Sequence, residues 1–429
     1  MKNDSFSWSV QLQRGWLFAF LLGIPFSTFY LTEHPFAVSP INVFSVIFIL
    51  LGIFNLVRGE IAWKLPKDKG LWWVLGGLFL VMAYALLFTH PLRSGIGTWV
   101  SRLTQPFLVG LFVEQMLANG KLKIIEIIRA LFGSLVLLIV VGLFQRAGLI
   151  VTPSTGRITD LYQFPNTFAR YVMILLLMGL PWLIQAYTEP GDDVLAKGNI
   201  LHLYLLTWLL GGLLLLASVS YNGVVSCAVG VAVILAFVPG KAFVRFKVWT
   251  LTIMAAIAAF VAVNAPKLPK WQASITSSRL TRLQYWEVAR GVIRDHAWTG
   301  IGLKGWELNY FHLAQHYIPI GEAMLLTTSE QPHNVFLDSL VKAGIPGLIA
   351  ITALLIWPIW RGIQLVRQRK GAGLWFGLSF LSYGVALLLF GLIDDPLWSD
   401  DTIPLLFIFF FIAAWVWTEM KKTKRQFSD

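Results

Sequence analysis

Polar turns cut the chain into apolar stretches, each about as long as a bilayer is thick, and that repetition limits the fold more than any motif does. A helix needs roughly 17–25 apolar residues to cross the hydrocarbon. Stretches of this length lie near 14–32, 41–57, 71–89, 96–116, 124–149, 165–187, 199–217, 221–238, 248–264, 339–360, 373–392 and 402–418. Inside hydrocarbon every backbone N–H and C=O needs a partner within the segment, so these spans are expected to be α-helices. The runs are continuous where a transmembrane β-barrel would alternate. Only 13% of the 429 residues are charged, about half the share of a soluble domain. The expected fold class is therefore an all-α polytopic membrane protein with about twelve transmembrane helices.

The basic residues give the orientation. Loops after the even-numbered spans carry Lys and Arg at 58–69, 121–123, 241–247 and 361–370, and the tail adds Lys421, Lys422, Lys424 and Arg425. Loops after the odd-numbered spans are poorer in them, and the one at 393–401 is acidic. By the positive-inside rule both termini lie in the cytoplasm. The net charge of +12 is first of all this loop signal, and nothing in it points to a nucleic-acid partner. The single cysteine, Cys227, excludes an internal disulfide framework and weakens any cysteine metal site. The apolar run starting near Gly15 has no small-residue cleavage site followed by a soluble domain, and reads as a span.

One connection does not fit a mere turn. Residues 265–338 form a polar segment between spans nine and ten, on the outer face, and a loop of that length is expected to carry structure of its own. Three regions follow: transmembrane helices one to nine over 1–264, a partly helical outer-face loop over 265–338, and helices ten to twelve with a basic tail over 339–429. The first half of the loop, SSRLTRLQYWEVARGVIRDH, has good helix formers and no proline. On a helical wheel Arg279, Arg282, Arg290 and Arg294 share one third of the circumference. Such an arc is either a solvated or headgroup-facing surface or a site for a diphosphate, whose oxygens match guanidinium forks. Glu287 lies near the arc and can pair with one of the arginines. The turn Thr299-Gly-Ile-Gly-Leu-Lys-Gly-Trp306 has no phosphate-loop pattern and reads as turn chemistry.

The loop ends on QPHNVFLDSLVKAGIPG, where His333 stands at the outer membrane boundary. An imidazole can take a proton near neutral pH and can act as general base on a hydroxyl. The same position also suits an ordinary interfacial histidine. Asn334 beside it can cap the following helix or orient a substrate. Arg157 lies on the outer face, and Arg170 lies inside the start of a span, where an ionisable residue is a functional candidate. Asp394 and Asp395 share that face and can orient a substrate, pair with the arginines or solvate a loop. His312 and His316 are four apart, too few ligands for a metal signal, and the loop has no DxD-like carboxylate pair. Neither a metal nor any other cofactor is expected.

Several pieces occur in a telling order: Gly156-Arg157 with Pro165-Asn166 and Ala169, Ser220-Tyr-Asn-Gly223, Arg282 ahead of Trp286, Gly300-Ile-Gly302, and His333-Asn334 with Gly344-Ile-Pro-Gly347. In these the chain resembles the bacterial O-antigen ligase and polymerase superfamily, whose members share a Wzy-C type region, most strongly over about 275–350 and closest in kind to the ligases. The resemblance implies an inverting, metal-independent glycosyltransferase of lipopolysaccharide biosynthesis in the inner membrane. It would move O-antigen glycan from undecaprenyl diphosphate to lipid A–core at the periplasmic face. It implies His333 as the base, and Arg282 with Arg279 on the diphosphate; Arg157, Arg170 and Arg290 are further candidates for that anion. Where relatives often carry an arginine just after the serine of the short outer break, this chain has Tyr221-Asn222. A polysaccharide polymerase or a protein O-oligosaccharyltransferase stays open as an alternative. More remote is a lipid-linked sugar flippase or transporter, which would be expected to show an internal repeat that this chain lacks.

Overall fold

The computed structural model describes residues 7–26, 39–149, 165–189, 195, 198–239, 269–318, 331–368, 371–397 and 402–426. They are helical, with no strand among them. In chain order the helices are α1 (Trp8–Gly23), α2 (Pro40–Val57), α3 (Lys69–Leu86), α4 (Leu92–Trp99), α5 (Gln105–Ala118), α6 (Ile124–Arg146), α7 (Pro165–Thr188), α8 (Asn199–Ala217) and α9 (Tyr221–Phe237). They continue as α10 (Pro269–Asp295), α11 (Gly305–Tyr317), α12 (Val335–Val366), α13 (Gly371–Gly391) and α14 (Thr402–Gln426). Eight described helices are long and apolar enough to cross a membrane: α2, α3, α6, α7, α8, α12, α13 and α14. The span expected near 248–264 lies outside the described residues.

The bundle has a centre and a rim. Most of the apolar windows of α7 and α13, 83% in each, is buried, whereas α8 buries 22%. Leu203 and Leu213 of α8, and Trp73 and Leu80 of α3, are exposed. Apolar side chains in that position suit hydrocarbon, where they cost nothing to leave uncovered. Helix association in lipid relies on close packing, which small residues allow. Accordingly α12 and α13 approach at Gly362, where a Cβ would stand 2.8 Å from the Leu381 backbone. In the same way α5 reaches α14 at Gly110, 2.8 Å from the Phe407 carbonyl oxygen.

Local chemistry places the helix ends. Asp68 caps α3 by accepting from the amides of Gly70 at 3.0 Å and Leu71 at 3.3 Å. Ser220 caps α9 through the Gly223 amide, and Asn334 caps α12 through those of Phe336 and Leu337. Each satisfies amides that a helix start leaves without partners. The Asn334 cap starts α12 at Val335, earlier than the 339 expected from hydropathy. Between α4 and α5 the chain takes a π turn over Val100–Thr104. Pro106 follows, and its missing N–H and bulky ring disfavour a regular α turn there.

The expected helical structure of the segment before α12 is present as α10 and α11, which enclose a small core of their own. Tyr285, Val288, Ala289 and Val292 of α10 pack on Trp306, Tyr310 and Ala314 of α11, and the cluster closes on Val341 of α12. The segment is tied to α12 by backbone as well. Gly344 has φ +64° and ψ −156°, which breaks the helix internally, and Pro346 offers no N–H to the Lys342 carbonyl. The turn at Gly300–Gly302 makes up the difference. Ile301 N–H donates to the Val341 carbonyl at 2.8 Å, Gly302 N–H to that of Lys342 at 3.1 Å, and Ile345 N–H to that of Ala297 at 2.8 Å. A Cβ on Gly300 would lie 2.5 Å from the Lys342 carbonyl carbon, so only glycine lets the backbones meet.

Candidate functional site

At one end of the bundle the start of α12, the α13–α14 loop, the start of α7 and the middle of α10 converge on the Asp394 carboxylate. His333 Nδ1 is 3.0 Å from Asp394 Oδ1, which also accepts from the Asp395 amide at 2.9 Å. Asn166 Nδ2 donates to Asp394 Oδ2 at 2.8 Å, and Arg282 Nη2 lies 3.7 Å from the same oxygen. Ser220 donates to Asn166 Oδ1 at 2.8 Å, so a hydrogen-bonded chain runs from the cap of α9 through Asn166 and Asp394 to His333. Burial works to raise the Asp394 carboxyl. The charge and hydrogen bond of His333, with Arg282 and Arg170 nearby, outweigh it and hold the carboxyl below the usual carboxylate range.

This environment dictates how the imidazole is used. An ionised carboxylate only accepts, so Nδ1 of His333 carries the hydrogen in either protonation state, and in the neutral ring Nε2 is the acceptor nitrogen. The ring is held on a second side by Tyr285, stacked on it with centroids 5.6 Å apart and planes 26° from parallel. Tyr285 is itself braced by the edge of Tyr310. The Trp286 indole donates to the Pro332 carbonyl at 3.1 Å, fixing the residue before His333. His333 has φ +53°, a left-handed conformation uncommon for a side-chain-bearing residue. Strain of this kind persists where surrounding contacts over-determine it, as the cap at Asn334 and the bond at Pro332 do here. The side chain of His333 is 34% exposed while that of Asp394 is 5% exposed, so the ring faces outward from a buried anchor.

The expected site residues separate by role. Arg282 joins the cluster. Arg170 is buried, with Nη1 donating to the Asp395 carbonyl at 3.1 Å and its guanidinium 5.9 Å from the Phe390 ring centroid, so it holds the acidic loop from beneath. Asn334 caps α12 and donates to the Leu392 carbonyl at 2.8 Å, which pins the same loop from above. Asp395 turns inward, its Oδ1 accepting from the Leu397 amide at 2.9 Å. Burial and then the Asp338 carboxyl push it well above the usual carboxylate range, and Asp338 is itself paired with Lys342. The structure does not bring Arg290 to the cluster. It is exposed and paired with Glu287 at 2.6 Å, just as Arg294 pairs with Asp295. Arg157 and the side chain of Arg279 lie outside the described residues. His312 and His316 are exposed on α11, and among the described residues no three His, Cys, Asp or Glu side chains gather as they would around a metal ion.

Asn166, Ser220 and Tyr285 were not expected as site residues. Tyr285 follows Arg282 by three positions and therefore shares its helix face, a signal present in the sequence. Asn166 and Ser220 occur in the family-like pieces, but their bonds join segments far apart in the chain. Tyr221, in the place where relatives often carry an arginine, is exposed, while Asn222 donates to the Phe390 carbonyl at 2.9 Å and so also supports the acidic loop.

Residues 205–352 match the family model described as O-antigen ligase. That region takes in α8 to α11 and the first half of α12, with Ser220, Arg282 and His333, and it contains the stretch on which the family resemblance rests most heavily. Asn166, Arg170 and Asp394 lie outside it. No curated protein matches the chain significantly.

Proposed function

We propose that this chain, which carries an O-antigen ligase family region over residues 205–352, is an inverting glycosyltransferase that moves O-antigen glycan from undecaprenyl diphosphate to lipid A–core on the periplasmic face of the inner membrane. The observation that carries the reading is one buried carboxylate, Asp394, contacting both His333 and Arg282. A proton acceptor and a cation are thereby held at opposite oxygens of a single group. In the reaction, an acceptor-sugar hydroxyl gives its proton to His333 Nε2 as its oxygen bonds to the anomeric carbon. The bond from that carbon to the diphosphate oxygen breaks with its electron pair, and the anomeric configuration inverts. Arg282 would stabilise charge on the departing undecaprenyl diphosphate, the kind of stabilisation that contributes most when donors are fixed in advance. Asp394 fixes the tautomer of the base and favours the imidazolium that forms.

The test is reconstitution of the full chain in proteoliposomes with purified lipid-linked O-antigen and lipid A–core. Wild type is expected to give polymer-capped lipid A–core. His333→Ala is expected to stay membrane-inserted and lose transfer by about 10²–10⁴-fold. Full transfer by that variant would sink the assignment of the base. Polymer elongation without capping would move the reading to a polymerase, which uses the same proton transfer on a different acceptor.

A further inference from the structure

The end of the bundle remote from His333 carries a second concentration of charge. Arg361 lies 26 residues beyond the start of α12, roughly 40 Å along the helix at about 1.5 Å per residue. At that level α3 begins and α14 nears its end, and the three border a cavity of about 470 Å³. That volume falls within the range of small-molecule sites. Its lining includes Lys67, Lys69, Arg361, Lys421 and Lys422 against a single carboxylate, Asp68. Asp68 is already engaged, by Arg361 and by the first amides of α3. Lys422 pairs with Glu419 outside the cavity. Among the described residues no carboxylate pairs with Lys67, Lys69 or Lys421.

The aromatic lining sharpens the picture. The Arg361 guanidinium lies 4.6 Å from the centroid of the Trp417 ring, and the Lys421 ammonium lies 4.8 Å from the same centroid. Arg361 is neutralised by Asp68, which leaves Lys67, Lys69 and Lys421 as lining cations that no described carboxylate offsets. Such a place attracts an anion. The N-terminus of α3, which brings Lys69 and Gly70 to the cavity, adds to the positive field.

The surface next to the cavity says which kind of anion. On α3, Trp73 and Leu80 continue the face of Lys69 at helical spacing, and both are exposed. On α12, Ile356 and Ile349 continue the face of Trp360, and these too are exposed. The helices α3 and α12 pack on one another, so two apolar stripes run from the cationic cavity toward the middle of the membrane. A free phosphate would use only the cavity, whereas a phospholipid would use the stripes as well. We infer that this cavity is a site for an anionic phospholipid, with its phosphate among Lys67, Lys69 and Lys421 and its acyl chains along α3 and α12. In the orientation proposed above, this is the cytoplasmic leaflet, where basic pockets between helices commonly hold such headgroups.

Native mass spectrometry of the delipidated full-length protein tests the site. Dioleoyl phosphatidylglycerol and dioleoyl phosphatidylcholine are titrated separately, then phosphatidylglycerol in competition with inorganic phosphate. The site predicts retention of phosphatidylglycerol over phosphatidylcholine by about 10-fold or more. Lys67→Ala, Lys69→Ala and Lys421→Ala together are expected to bring that ratio close to one. These side chains are exposed, so the fold tolerates the change. The corresponding triple arginine variant is expected to keep the preference. Equal binding of the two lipids, or a preference surviving the triple alanine change, overturns the proposal. Displacement of phosphatidylglycerol by millimolar phosphate alone overturns the lipid assignment in favour of a free-anion site.

Discussion

Asp394 Oδ1 stands 3.0 Å from His333 Nδ1, and the two residues sit at the ends of α13 and α12, helices packed along each other. Two long helices and the loop after α13 thus fix one hydrogen bond, which sets both the tautomer and the direction of the proposed base. Asp394→Asn keeps the size of the group but replaces the carboxylate that receives three hydrogen-bond donors and the Arg282 ion pair. The expected result is a fall in kcat of about 10²–10⁴-fold, larger than any change in acceptor KM. Steady-state kinetics on reconstituted protein read it directly, and a variant within two-fold of wild type contradicts the role given to Asp394.

Arginine identity at 282 is expected to matter more than charge. Lys keeps the cation but cannot present two parallel N–H donors. Arg282→Lys should raise donor KM and lower kcat/KM by about 10-fold or more. Arg290→Ala removes an exposed arginine paired only locally with Glu287, and transfer should stay within about two-fold of wild type. Comparable losses in both variants would return Arg290 to the anion site.

Asp395 gives a pH signature opposite to that of its neighbour. Its folded carboxyl is held well above the usual range, against about 3.9 in the unfolded chain. Between those limits the folded state binds more protons, so stability falls as pH rises through the window. Asp395→Asn removes this titration and keeps an oxygen for the Leu397 amide. Thermal unfolding followed from pH 4 upward should therefore show a flatter Tm profile and a higher Tm near pH 8 for the variant. Asp394 is held low, so the stability it contributes is present above about pH 3.9 and lost only as pH falls through its depressed value. A variant Tm that declines with pH as steeply as wild type would contradict the Asp395 assignment.

The kink of α12 can be probed by one methyl group. At Gly344 a Cβ would stand 2.4 Å from the Trp298 carbonyl, at φ +64°. Gly344→Ala is expected to destabilise the protein by about 1–3 kcal/mol and to lower transfer, because the tie to the Gly300–Gly302 turn is strained. Gly97→Ala, in a helix with open space around it, should leave Tm at or above wild type. Comparison of the two midpoints in detergent separates a local clash from a general cost of losing glycine.

Eight of the expected spans were legible because run length and hydropathy decide them without reference to partners, whereas the one expected near 96–116 is broken by the π turn before Pro106. His333 and Arg282 could be singled out from the sequence too, one just ahead of an apolar run and the other on a basic helix face. A helical wheel, however, discards distance along the axis. Arg290 shares the arc with Arg282 but lies eight residues on, about 12 Å further along α10, where Glu287 takes it up. The Gly300–Gly302 turn looked like ordinary turn chemistry because the carbonyls it satisfies lie some forty residues downstream. Which of Asp394 and Asp395 would face the imidazole depended on the turn after α13, and no local pattern encodes that choice. The link of Asn166 to Asp394 spans 228 residues of chain and was invisible for the same reason.

The separation of 61 positions between His333 and Asp394 also sets an order of events during synthesis. Arg282 and His333 leave the ribosome before α13 has been made, so a chain cut short after α12 would own a base without its anchor. The pair closes only when α13 has crossed back and returned the acidic loop to the face where α12 began. The proposed competence to transfer a sugar would therefore be acquired late, as a property of the finished chain, and a half-inserted nascent protein would lack it.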